Sequence, residues 1–373
     1  MRILQRHILR EFMIPVGYCF TAFISIFVLF DFIDKQSKIF AAQPPASVVF
    51  LYFASYVSTI VEYMLPASLL LGALYATWQL SRHSEIIAMK ASGVSFRSIA
   101  APMVAASVVF SLLLALNNEF LAPRALVYRR RVAANKFQPL PPYTRENFSY
   151  YNAGDGRSWV IGSFDVNHPE VLDDVHINFD GANHVRVAEL ASPRAEYLDG
   201  CWWFQTPRIT HFNARGEVDQ TVAPAPVRSV ISRPDFSEQP RDFAIIANMS
   251  ADKDMKLEQA FSLRDLLRYL KVHTWLSPEK ANERRFDIWR RIASPWACLV
   301  ITLFAVPAGV ASGRQSVFRG VLMAIALFFG FYASSMIFEF CAKSGWIPAP
   351  LGAWAANIIF FVAALHVFRK QAM

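Results

Sequence analysis

Charge and apolarity are segregated along this chain. Six runs are long enough to cross a bilayer, near 12–34, 48–79, 98–122, 288–311, 318–342 and 351–368, and the charged residues gather in the gaps between them. A span needs roughly 20 apolar residues, and its backbone must satisfy its own hydrogen bonds, so each run is read as a transmembrane helix. Composition agrees: 54% of residues are hydrophobic, 32 are phenylalanine and only 18% are charged, more apolar surface than a soluble core buries. Arg2, Arg6 and Arg10 ahead of the first run resemble the start of a signal peptide. The run is too long for one, however, and Phe40 stands where a cut after Ala42 needs a small residue, so it is read as a retained span.

The expected fold class is therefore a membrane α-helical protein with an inserted β domain, three helices before it and three after. Residues 1–122 carry spans one to three, 123–262 a β-jellyroll-like domain, 263–287 an amphipathic linker helix and 288–373 spans four to six. The second span contains Glu62 and Pro66 and is longer than a bilayer requires, which predicts a tilt or kink. Positive charge in the short loops orients the chain. Arg2, Arg6, Arg10, Arg82, Lys90, Arg97, Arg314, Arg319, Arg369 and Lys370 lie on one side, against Lys35, Lys38 and Lys343 on the other. Both termini are thus expected in the cytoplasm and the large domain across the membrane. Of the cysteines, Cys19, Cys298 and Cys341 fall inside apolar runs and Cys201 alone in the polar middle, so that middle forms no internal disulfide.

The central region reads as strands. Gly154-Asp155-Gly156, Asp180-Gly181, Asp199-Gly200 and Ala214-Arg215-Gly216 punctuate runs at Trp159–Phe164, Val171–Phe179, Val185–Leu190 and Trp202–Phe212. Short strands at this spacing predict a curved antiparallel sheet or jelly roll. After Pro240 the period becomes helical, and Ser262 with Asp265 forms a capping box ahead of Leu263, Leu266, Leu267 and Leu270.

Two features carry functional expectations. The first is the charged island RHSEIIAMKASGVSFR at 82–97. Ser84 is expected to cap a helix of about eight residues beginning at Glu85, with Gly93 as its stop, and a helix so short must be held by packing. Ile86, Ile87 and Met89 supply apolar surface for that. Composition allows either a plain loop helix or a coupling helix that fits a motor protein. The second feature is positive charge across the membrane. Arg124, Arg129, Arg130, Arg131 and Lys136 follow the third span, and Arg284, Arg285, Arg290 and Arg291 precede the fourth. They either reach ordinary headgroups or join Lys35 and Lys38 in a cationic ring for a phosphate-bearing amphiphile.

Glu62 and Glu339, carboxylates within spans, are candidates for an ion-coupled mechanism or for structural ion pairs. No phosphate-binding loop, nucleophile elbow or metal-spaced His/Cys cluster is present. His168, His176 and His184 recur every eight residues, as strand spacing would place them. No catalytic residue, metal or cofactor is expected, nucleic acid is not an expected partner, and any ATP hydrolysis belongs to another protein.

SEIIAMKASG at 84–93, NEFLAP at 118–123, FDIWRRIASP at 286–295 and SGWIPAPLGAWAANIIF at 344–360, in this three-domain-three order, resemble the LptF/LptG lipopolysaccharide-export permeases. The ending of the first span, FDFIDKQSK at 30–38, is more similar to the LptG branch. The resemblance implies an inner-membrane half-transporter that pairs with an LptF-like sister permease. It implies an LptB-like ATPase dimer, an LptC-like membrane-anchored protein and an LptA-like periplasmic bridge as further partners, and lipopolysaccharide as cargo drawn from the outer leaflet. Lys35 and Lys38 match the basic positions facing lipid phosphates, with Arg124 and Arg291 beside them. Phe27, Phe30, Phe328 and Phe331 are expected to line the lipid cavity. Ser84, Glu85, Ile86, Met89 and Gly93 match the coupling helix. The rival readings are a membrane scaffold for the β domain and an ion-coupled lipid exporter.

Overall fold

The computed structural model describes residues 2–181, 185–213, 217–219, 229–251, 261–272, 276–312 and 317–372. Two compact units divide the chain. One comprises Met1–Gln138, Glu258–Ser262 and Pro278–Met373, and the other Pro139–Leu257 with Leu263–Ser277.

The first unit is helical. Before the second unit come α1 (Arg2–Ala42), α2 (Ala46–Arg82), α3 (Glu85–Ala91), α4 (Phe96–Leu116), a π turn (Asn117–Leu121) and α5 (Ala122–Ala134). Among the described residues, five helical stretches are long and apolar enough to cross a membrane: Ile3–Ala42, Ala46–Arg82, Phe96–Ala134, Pro278–Val310 and Ala349–Arg369. The sixth expected span, 318–342, falls on a helix at Val317–Lys343, several of whose side chains lie outside the described residues. At 41 residues α1 is about 60 Å long, twice a hydrocarbon core, so at least one end stands clear of it. The assigned helix of α2 continues past Pro66 without a break.

Helix α2 lies at the centre of this unit and is approached closely from two sides. A Cβ added at Gly72 would come within 3.0 Å of the Val16 backbone nitrogen on α1, and one at Gly309 within 2.9 Å of the Leu74 carbonyl oxygen. Small residues let these helices pack backbone to backbone, the usual source of association where lipid removes the hydrophobic drive. Around them Ile8, Phe12, Leu69, Leu70, Met103, Ile301 and Ala305 form one buried cluster.

After the second unit, α8 (Pro278–Ala293) passes through a 3-10 turn (Ser294–Trp296) into α9 (Ala297–Ser312), followed by α10 (Val317–Lys343) and α11 (Ala349–Ala372). At the turn the Ala297 N–H bonds the Ser294 and Pro295 carbonyls, so the Ala293 oxygen loses its usual donor. The buried Asn357 on α11 donates to it at 2.9 Å.

The second unit is an antiparallel sheet. Strands β1 (Thr144–Asn152), β2 (Arg157–Asp165), β3 (Val171–Asp180), β4 (Arg186–Leu198) and β5 (Cys201–Gln205) lie side by side in chain order, β7 (Val230–Arg233) pairs with β5, and β6 (Arg208–His211) pairs with β4. The expected run Trp202–Phe212 divides here, because Thr206 turns to φ 42° just ahead of Pro207. The 13-residue β4 is shared: its first half pairs with β6 and its second with β5. Ser192, between the halves, donates to the Gln205 carbonyl at 2.7 Å. Asp199-Gly200 forms the expected two-residue hairpin, both residues at positive φ. The Ala214-Arg215-Gly216 signal and His184 lie outside the described residues.

One face of the sheet buries Phe148, Tyr150, Trp159, Ile161, Val175, Ile177, Trp202 and Phe204, and α6 (Pro240–Ala251) covers it with Phe243. The Trp159 and Phe243 rings lie 5.1 Å apart. Helix α7 (Leu263–Val272) starts where the capping box predicts. Its Arg268 forks onto the buried Asp242 of α6, with Nε to Oδ1 at 2.5 Å and Nη2 to Oδ2 at 2.6 Å, and this bond raises the guanidinium's pKa.

A buried polar network joins the sheet to the segment before α6. Arg157 donates to Glu238 at 3.0 Å and pairs with Asp155, while Asn152 donates to Glu238 at 3.0 Å. The Glu238 side chain is fully buried, so these donors stand where water would otherwise be needed. Replacing Glu238 with Leu should cost the β unit about 3–5 kcal/mol, because Arg157 would lose a buried counter-charge. Hydrogen exchange of β1 and β2 in the full-length protein checks this, and unchanged protection would contradict it. Tyr150 has its pKa pushed above the ordinary value of about 10 by burial first and then by Asp242 and Glu238. A raised pKa makes the neutral phenol a stabilising group whose contribution is present below the unfolded value and lost as pH rises above it. Tyr150→Phe should therefore flatten the fall in stability above about pH 10, measured as melting temperature against pH.

Candidate functional site

The charged island folds as a short knob. Helix α3 is 7 residues long, Glu85–Ala91, close to the expected eight. Its stop is as expected. Gly93 sits at φ 86°, its N–H bonds the Lys90 carbonyl at 3.0 Å, and the Val94 N–H bonds the Met89 carbonyl at 3.0 Å, which is a Schellman termination. The start differs from the expectation. Ser84 adopts a left-handed φ of 59° and its side chain makes no capping bond, so only its carbonyl begins the helix, accepting from Ala88. The chain turns so sharply after α2 that the extended backbone a side-chain cap needs is not available. Ile86 and Met89 are buried in the helical core, Val94 packs beside them, and Ile87 and Glu85 face outward. Glu85 also accepts a 3.1 Å contact from His7 on α1, which sequence spacing gave no reason to expect.

A second polar cluster surrounds the π turn. Asn117 and Ser58 of α2 exchange hydrogen bonds, with Ser58 Oγ donating to Asn117 Oδ1 at 2.9 Å and Asn117 Nδ2 to the Ser58 carbonyl at 3.0 Å. Arg291 of α8 donates to the carbonyls of Asn118 and Phe261, and its Nε lies 3.3 Å from Glu119. Arg290 donates to Glu339 of α10 at 2.6 Å, and Lys343 donates to the other oxygen of Glu339 at 2.8 Å. Buried Asp287 accepts from Arg284 at 2.9 Å and lies 3.6 Å from Lys343. A cavity of about 50 Å³ opens here, lined by Thr59, Glu62, Asn118, Ala122, Asp287, Arg290, Arg291 and Ser294. That volume holds a few water molecules and no acyl chain.

The other expected residues fall elsewhere in the helical unit. Lys35 is paired with its neighbour Asp34, and Lys38 and Arg124 are exposed. Arg129 stacks on the Tyr56 ring, 4.8 Å from its centroid. Phe27 and Phe30 are exposed on α1, whereas Phe331 is buried against Tyr332 and Phe360, and Phe328 packs on Tyr332. The basic residues thus divide: Arg284, Arg290 and Arg291, ahead of the fourth span, are engaged by partners within the unit, while Lys38 after the first span and Arg124 after the third face outward. Among the described residues no group of His, Cys, Asp and Glu is arranged to hold a metal ion. His176 instead contacts Glu189 at 2.9 Å across paired strands.

A comparison with curated proteins finds no match. A family model described as "Lipopolysaccharide export system permease LptF/LptG" matches residues 6–370, nearly the whole chain. The family takes in both branches together, and its members are permease components of a transporter rather than catalysts. The chain belongs to the LptF/LptG family of lipopolysaccharide export permeases and is a multi-pass protein of the inner membrane.

Proposed function

We propose that this chain is one half of an ATP-driven exporter that draws lipopolysaccharide from the outer leaflet of the inner membrane and passes it to a periplasmic bridge. Its partners in this reading are an LptF-like sister permease, an LptB-like ATPase dimer, an LptC-like anchored protein and an LptA-like bridge, with this chain taking the LptG position. Both termini and α3 lie in the cytoplasm and the β unit in the periplasm.

The observation that carries the reading is the surface of α1. Phe27 and Phe30 are exposed on it, and the exposed Lys38 follows two to three turns later with Lys35 between them. An apolar stretch ending in cations matches a lipid whose acyl chains end at phosphates. Exposing acyl chains to water costs about 0.8 kcal/mol per methylene, tens of kcal/mol for a multi-chain lipid. The lipid is therefore carried along a surface closed by the sister subunit, because the cavity beside Glu62 is too small for it. Phe328 and Phe331 pack on Tyr332 within the helical unit. Lys35, Lys38 and Arg124 hold the phosphates. Arg291 helps from the inside, through the turn that begins Arg124's helix.

Helix α3 serves as the coupling element. Buried Ile86 and Met89 fasten it to the membrane helices, so a push on Glu85 moves α1 and α2 with it. Glu339, a candidate for an ion-coupled exporter, is bonded here to Arg290 and Lys343 as a structural ion pair.

Reversing both charges, Lys35→Glu with Lys38→Glu, should lower lipopolysaccharide photo-cross-linking by roughly tenfold or more while the purified complex keeps its subunits. Cross-linking at the parental level would count against the phosphate role. Glu85→Ala should leave the chain folded and reduce lipid-stimulated ATP hydrolysis by the associated ATPase. Hydrolysis unaltered by that change would favour the scaffold reading.

A further inference from the structure

The helix that carries the third span has an irregularity that its own backbone leaves unsatisfied. In the π turn Asn117–Leu121 the Ala122 N–H bonds the Asn117 carbonyl, five residues back. Ala122 would be the ordinary donor to Asn118, and with that N–H taken the next donor in the π pattern is residue 123. Residue 123 is proline and has no N–H. The Asn118 carbonyl is thus refused by both candidates in its own helix. Asn118 is buried, and a carbonyl without a donor inside a membrane protein is costly.

The donor comes from another helix. Arg291 on α8 gives one arm of its guanidinium to the Asn118 carbonyl and another to the Phe261 carbonyl, and Glu119, the next residue of the turn, balances its charge at 3.3 Å. The Arg291 side chain is only 8% exposed. A planar fork of several N–H groups suits this arrangement of two carbonyls and a carboxylate, which a lysine ammonium does not match in shape. We infer that Arg291 is the positioning residue of the π turn, its guanidinium supplying the hydrogen bond that Pro123 removes. Helix α5, with Arg124 at its start, leaves directly from this turn, so the same bond sets the direction in which that helix departs. The inference does not depend on what the permease carries.

A thermal-stability cycle on the full-length protein in detergent tests it. Arg291→Met removes the donors at similar length and should lower the melting temperature by roughly 5 °C. Pro123→Ala restores an N–H at position 123 and should change the parent little. Combined with Arg291→Met, it should recover most of the loss, while Glu119→Gln in the same background should recover less. Two independent, additive effects would overturn the inference, and so would recovery by Glu119→Gln with none from Pro123→Ala. If Arg291→Met does not accumulate, the doubly substituted chain decides. Its return to folded protein supports the inference, and its failure overturns it.

Discussion

Inside a bilayer no water is at hand to satisfy a peptide group, and this constraint organises the helical unit more than any side-chain preference. Regular helix meets it without help. At the 3-10 turn and the π turn, a polar side chain from a neighbouring helix completes the backbone. Asn357 reaches the Ala293 carbonyl at the 3-10 turn, and Arg291 reaches the Asn118 carbonyl at the π turn. Each bond ties two helices together because it can be made only when both are in place. Irregularity and helix packing are therefore aspects of one arrangement.

The same logic explains why so much charge is tolerated around α8. Arg284, Arg290, Arg291 and Lys343 are matched by Asp287, Glu339 and Glu119 within hydrogen-bonding or ion-pair distance. A charge at such a site is supportable only when paired, and removing either partner leaves the other exposed to the full penalty. Lys38 and Arg124 are exposed instead.

The β unit solves a different problem with different means. Its core is a stack of aromatic rings between the sheet and α6, and the buried Arg157–Glu238–Asn152 group binds the sheet to the segment that leads into that helix. Residues far apart in the chain thereby share one core.

The sequence by itself determined what depends on local chemistry. Hydropathy marked the spans, because transfer into lipid is decided residue by residue. Asp199-Gly200 and Gly93 marked a hairpin and a helix end, because each needs a backbone conformation that other residues resist. The family resemblance was legible for the same reason, being carried by contiguous stretches at 84–93, 118–123, 286–295 and 344–360. Tertiary structure decided what depends on direction and partner. It divided β4 between two neighbours, turned Ser84 out of its capping geometry and set His7 against Glu85. It also engaged Arg291 with a carbonyl 173 positions away in the chain. The motif NEFLAP placed Pro123 in plain view, but nothing in the linear order said which residue would replace its missing donor. That choice belongs to packing, since only the folded helices bring the guanidinium within reach of the oxygen.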